Sequence, residues 1–211
     1  MSLLARPAAS IVGLVAAASL ALAGCGAGGA GTPSANASTG SIGAPGSAYA
    51  YPDIRPAPPL DLTDQDGRAF RLASLLGAPV LVYFGYTHCP DVCPATVGIL
   101  NEVIAGLGSP IHIVIVTVDP ERDTVAALRD YLRYMTDEFL ALTGTSSEIR
   151  AAADGYGVTY ARVETGSAGG YSMAHTAEVY LIDQHGRLRA HYPFATKASL
   201  IVGDLRRLAG E

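Results

Sequence analysis

The chain has 211 residues, with 14 Lys and Arg against 19 Asp and Glu, a formal net charge of −5, three Cys and no Trp. No basic block stands out, so nucleic-acid binding has no electrostatic support. Three cysteines are too few for a disulfide scaffold or a four-sulfur zinc site.

In chain order, residues 1–24 read as a leader. Arg6 supplies the positive start, Ala8 to Ala23 is uncharged and largely apolar, and Leu22-Ala23-Gly24-Cys25 matches a bacterial lipobox. Sixteen residues fall short of the ~20 that a membrane span needs. The lipobox makes Cys25 the lipid attachment site, which removes it from the thiol count and leaves Cys89 and Cys93. It also predicts an extracytoplasmic domain tied to the outer face of the bacterial membrane. Without the leader, the chain carries a net charge of about −6. Residues 25–50 are mostly Gly, Ala, Ser, Thr and Pro with no charge, and read as a flexible tether. Residues 51–211 hold the folded domain.

Leu60 to Leu72 reads as a β-hairpin turning at Asp66-Gly67. Val80 to Gly85 is a continuous apolar run, hence a buried strand. Val97, Leu100, Ile104 and Leu107 recur at helical spacing and predict a helix ending near Gly108. Ile111 to Val118 predicts a second buried strand. Asp123 or Thr124 can cap a helix reaching about Met135. A short strand over Leu140 to Leu142, a helix from Ser146 or Ser147 to near Gly155 and an edge strand over Val158 to Arg162 follow. A hairpin of Glu178 to Ile182 with Arg187 to Tyr192 and a helix over Lys197 to Leu208 complete the order. Alternation of strands and helices predicts an α/β fold, with a mixed sheet flanked by helices.

The chemistry concentrates in Gly85-Tyr86-Thr87-His88-Cys89-Pro90-Asp91-Val92-Cys93-Pro94. Two soft sulfurs four apart, between a strand and a helix, suit soft-metal binding or thiol chemistry. A helix beginning near Pro90 to Asp91 would put both sulfurs on one face of its first turn, where the free N–H groups favour thiolate. The same spacing is compatible with a disulfide.

That decapeptide resembles the signature of the Sco/SenC proteins, copper-binding assembly factors for cytochrome c oxidase. Val118-Asp119-Pro120-Glu121-Arg122-Asp123-Thr124 is similar to the family's second landmark, and His175, shortly before Val179 to Asp183, to its third. The resemblance runs from about Pro58 to Leu208. It implies a thioredoxin-like fold with an added N-terminal β-hairpin, and a copper site made by Cys89, Cys93 and His175. Two thiolates suit Cu(I), and a neutral imidazole adds a harder ligand for Cu(II). The implied partners are cytochrome c oxidase subunit II, an upstream copper donor or thiol reductant, and the membrane through the lipid anchor.

This chain departs from the family in carrying Ala174 where an Asp usually precedes the histidine, so a carboxylate that could orient the ring is missing. The Gly-rich loop Glu164 to Gly170 could bring His175 in and let it leave. His88, His112, His185 and His191 read as solvated or structural. Met173 reads as packing before it reads as a weak fourth ligand. The Asp119 to Asp123 segment is expected at the cysteine end of the sheet, as a charged rim, a docking surface or a plain turn with a helix cap.

Two other functions compete. A thiol-disulfide oxidoreductase, with Cys89 and Cys93 as its redox pair, would act on the oxidase cysteines or other exported proteins. The three-residue gap between the cysteines, and the absence of Pro between Gly155 and Tyr192, count against it. A peroxidase related to the peroxiredoxins would use Thr87 beside Cys89, but the rest of that pattern is missing.

Overall fold

The computed structural model describes residues 49–166 and 170–210. The leader, Cys25 and nearly all of the tether lie outside these residues, as do three positions of the Gly-rich run. The elements are β1 (Ala50–Pro56), β2 (Asp61–Asp64), β3 (Ala69–Arg71), β4 (Val80–Gly85), α1 (Val92–Leu107), β5 (His112–Thr117), α2 (Val125–Leu132), β6 (Phe139–Thr143), α3 (Ser146–Tyr156), β7 (Tyr160–Glu164), β8 (Tyr171–His175), β9 (Val179–Ile182), β10 (Arg187–Tyr192) and α4 (Ala198–Leu208). A 3-10 turn, Leu72–Leu75, follows β3.

Eight strands form one mixed sheet in the order β1-β10-β9-β4-β5-β6-β2-β3, and β7 with β8 forms a separate two-stranded ribbon. Strands β4, β5 and β6 are parallel, with helices in the connections as parallel neighbours require. All six residues of β4 are buried, as its unbroken apolar sequence predicts for a strand covered on both faces. Helices α1 and α4 pack together where Gly106 lets Val202 approach; a Cβ there would sit 3.2 Å from Val202 Cγ2. Helix α1 ends at Gly108 in the left-handed conformation (φ 71°). Helix α3 opens with a capping box between Thr145 and Glu148.

The predicted α/β order holds, with three differences. Strand β1 is unanticipated: its two prolines and exposed polar residues hide a strand, and it survives as an edge paired with β10. Strand β8 is also unanticipated; it pairs antiparallel with β7. Helix α1 starts at Val92 with Asp91 as its cap, so Pro90 lies before the helix rather than at its first position.

One buried ion pair closes the far hairpin. The Asp183 carboxylate accepts hydrogen bonds from Arg187 Nε (2.7 Å), Arg189 Nη1 (2.9 Å) and the backbone N–H groups of His185 and Arg187. Burial pushes its pKa up, but the bonds from Arg187, Arg189 and His185 outweigh this and hold it below the usual range. Its contribution to stability is therefore present above the unfolded carboxyl pKa of about 3.9 and lost as pH falls through the lower folded value. Asp183→Ala should cost about 3 kcal/mol at neutral pH, because it removes the buried carboxylate that the Arg187 and Arg189 guanidinium groups bond. The loss should shrink in acid, measurable by urea unfolding at pH 7 and below pH 3.

Candidate metal and thiol site

The parallel pairing of β4 with β5 brings Gly85 opposite Thr117. The segments that leave both strands, 86–91 and 118–124, therefore emerge at the same end of the sheet. Val118 donates its N–H to the Gly85 carbonyl (2.9 Å), continuing the ladder by one step. Beyond it, the fully buried Asp123 accepts from Thr87 N–H (3.0 Å), Thr87 Oγ1 (2.6 Å) and Thr117 Oγ1 (2.7 Å). Asp123 thus fastens the cysteine loop to β5. The helix cap is Thr124, whose hydroxyl accepts from Ala127 N–H. Asp123 was expected as a helix cap or as part of a charged rim or docking surface; its partner Thr87 lies 36 residues away, and no local pattern announces that pairing.

Cys89 stands two residues before the cap of α1, and Cys93 lies in its first turn. The expectation that both sulfurs sit on the first turn is corrected. Instead, the Cys93 N–H donates to Cys89 Sγ (3.3 Å). A free amide of the helix start therefore does face sulfur, but it faces Cys89. Cys89 is half-buried and Cys93 buried, and both are free thiols. Burial pushes the Cys93 thiol up to about 12, only partly offset by hydrogen bonds from the Tyr83 hydroxyl and the Tyr86 backbone. For Cys93 the helix start does not yield a thiolate at neutral pH, because desolvation outweighs the local amides. Tyr83 Oη lies 3.3 Å from Cys93 Sγ, and Gly85 leaves the room: a Cβ there would lie 2.5 Å from the Tyr83 ring and 3.1 Å from Cys93 Sγ.

His175, the last residue of β8, arrives from the hairpin. Its Nε2 lies 4.0 Å from Cys93 Sγ, and its ring stands edge-on to those of Tyr83 and Tyr86. Nδ1 is 3.0 Å from the Thr176 carbonyl. A carbonyl only accepts, so Nδ1 carries the proton and Nε2 turns its lone pair toward the sulfur. The backbone supplies the orienting acceptor that Ala174 cannot. Burial lowers the His175 pKa, which keeps the ring neutral and able to donate electrons.

Among the described residues, no three His, Cys, Asp or Glu side chains enclose a ready-made ion cage. Through Cys93, whose N–H reaches Cys89 Sγ and whose Sγ lies near His175 Nε2, the structure brings the three predicted residues together. His88 is exposed and bonded to Thr87 Oγ1, and Met173 is half-buried against the core. Both match the structural roles expected of them. Thr87 serves Asp123, which accounts for it without peroxidase chemistry. A cleft of about 240 Å³ beside Met173, lined by Asp119, Glu121, Arg150, Arg162 and Tyr171, includes neither cysteine.

The matched family model, SCO1/SenC, covers residues 53–210. The chain belongs to the SCO1/SenC family. It is 37% identical over 136 residues to a SCO2-like protein of Rickettsia conorii, a match spanning 63% of this chain and 66% of that protein, just under two thirds. Among solved structures it is similar to Bradyrhizobium japonicum ScoI with copper bound, at 37% identity and a TM-score of 0.65, covering 73% of this chain and 99% of the other. It is also similar to Arabidopsis thaliana ScoI with copper bound, at 28% identity and a TM-score of 0.69, covering 74% and 100%. The fold is thioredoxin-like, as the resemblance implied.

Two outcomes test this geometry. At pH 8, iodoacetamide should label Cys89 in Cys93→Ser at least about 100-fold faster than Cys93 in Cys89→Ser, since burial and a raised pKa both protect Cys93; comparable rates would contradict its burial. Gly85→Ala should cost about 1–3 kcal/mol by overpacking against Tyr83 and Cys93, read as a lower denaturant midpoint.

Proposed function

We propose that this chain is a copper carrier for cytochrome c oxidase assembly, binding the ion as cargo through Cys89, Cys93 and His175. The observation that carries the reading is the His175 imidazole, fixed in its Nδ1–H form by Thr176, with its Nε2 lying 4.0 Å from Cys93 Sγ. The donor set fits the cargo: two sulfurs suit Cu(I), and a neutral imidazole extends the site to Cu(II). Binding requires both cysteines as thiolates, so loading must release the proton that burial holds on Cys93. Copper-bound relatives with the same fold support the assignment of the ion.

The acceptor in this proposal is the binuclear copper centre of oxidase subunit II. The lipobox at Cys25 and the uncharged tether support the part of this proposal that puts the carrier on the outer face of the cytoplasmic membrane. About 25 tether residues give a root-mean-square reach on the order of 25–30 Å, enough to serve a membrane-embedded acceptor. An upstream donor would supply the ion, or a thiol reductant would keep the cysteines reduced.

A second reading is favoured by the exposure difference at the cysteines. Cys89, half-buried and facing an amide, is placed to attack a disulfide, with Cys93 behind it to resolve the mixed disulfide. On this reading the chain reduces the acceptor's cysteines. The two roles describe successive steps on one acceptor.

Copper titration of the reduced protein separates them. The carrier reading expects one Cu(II) per chain with a sulfur-to-copper charge-transfer band, lost in Cys89→Ser or Cys93→Ser. It also expects His175→Ala to weaken Cu(II) binding by at least about tenfold and Cu(I) binding far less. Equal Cu(II) affinity in wild type and His175→Ala would sink the role of the histidine. Disulfide turnover that needs no copper and survives His175→Ala would move the protein to the reductase class.

A further inference from the structure

His175 hangs at the end of a two-stranded ribbon that forms no part of the main sheet, so something other than the sheet must set its position. Successive same-face residues of a strand are two apart, which puts Tyr171, Met173 and His175 on one face of β8. The main body holds β8 at the first two of these. The Tyr171 hydroxyl donates to Asp119 Oδ1 (2.9 Å), and its carbonyl accepts from Arg122 Nη1 (3.1 Å). The Arg122 guanidinium also lies 3.7 Å from the centre of the Tyr171 ring, while its Nε donates to Asp119 Oδ2. Two residues on, the Met173 N–H donates to Tyr86 Oη (3.2 Å). Asp119 is buried and Arg122 mostly so.

We propose that Asp119 and Arg122 are positioning residues which, through Tyr171, set where His175 stands relative to the cysteines. The inference rests on the reading of His175 as the nitrogen ligand. Among the described residues, the side-chain hydrogen bonds of Asp119 and Arg122 go to β8 and to each other, so they act at the strand. Asp119 is held in turn by the end of β5, its N–H donating to Thr117 Oγ1 (2.9 Å). Thr117 also bonds Asp123, which fastens the cysteine loop. Both halves of the site are therefore referred to the same point of the sheet. A ribbon moored there delivers the imidazole in register with the sulfurs; an unmoored one would leave a two-sulfur site with a loosely attached histidine.

The test uses the full chain and the variants Arg122→Ala, His175→Ala and their double. Arg122→Ala is expected to weaken Cu(II) binding at least about tenfold and to reduce the nitrogen hyperfine features in the electron paramagnetic resonance spectrum. Cu(I) binding, carried by the sulfurs, should change less than about threefold. In the His175→Ala background, Arg122→Ala should add less than about twofold, because it acts only through the histidine. In the metal-free protein, the Met173 and His175 amides should exchange hydrogen at least about tenfold faster while β5 amides keep their protection. If His175→Ala weakens Cu(II) binding and Arg122→Ala does not, or if the two effects simply add, the positioning role is wrong. If His175→Ala itself has no effect, the ligand reading fails first and the inference with it. Should Arg122→Ala lose β5 protection and unfold, Tyr171→Phe removes only the hydroxyl bond to Asp119; a smaller change in the same direction is expected, and unchanged Cu(II) affinity and exchange would overturn the proposal.

Discussion

The buried carboxylate of Asp123 is the constraint on which the site depends. A carboxylate with no solvent must find donors, and here it finds three, two from Thr87 and one from Thr117. Those bonds cross between the segments leaving two parallel strands, so the carboxylate can be satisfied only if the cysteine loop folds over the end of β5. The position of Cys89 and the start of α1 follow from that closure. Gly85 then admits the Tyr83 ring and Cys93 Sγ into a space that a methyl group would occupy.

The two sulfurs are consequently unequal. Cys93 is sealed among Tyr83, Tyr86 and the core, where desolvation holds its proton. Cys89 lies nearer solvent and receives the Cys93 amide. A symmetric dithiol at the tip of a helix would offer both sulfurs alike. This arrangement offers one for encounter and keeps the other behind it. Either cargo exchange or disulfide exchange gains from that order, since an incoming partner reaches Cys89 first and Cys93 second.

The histidine comes from an element of a different kind. The β7–β8 ribbon has exposed residues along β7 and only half-buried ones on much of β8, so little apolar burial holds it down. Polar mooring takes the place of a hydrophobic core: Tyr171 between Asp119 and Arg122, the Met173 amide on Tyr86, and Thr176 paired with Thr159. The ring's tautomer is likewise fixed by a backbone carbonyl, an acceptor that any residue at position 176 can supply. This is how the site tolerates Ala174, which is exposed and paired across the ribbon with Ala161.

The amino-acid sequence alone determined the elements whose patterns are local. The apolar runs of β4 and β5, the helical period ending at Gly108, the Asp-Gly hairpin and the cysteine spacing could each be read within a dozen residues. The family signature added His175. Strands β1 and β8 stayed hidden because their residues are polar or proline-rich and become strands only by pairing with β10 and β7. The partnerships of Asp123 with Thr87, Arg122 with Tyr171 and Cys93 with His175 span 36, 49 and 82 positions. No local periodicity encodes such separations. Only the tertiary structure decided them, because burial and the register of the sheet, not neighbouring residues, choose which donor meets which acceptor. The protonation of Cys93 was decided in the same way: its sequence context favours a thiolate, and its depth in the fold opposes one.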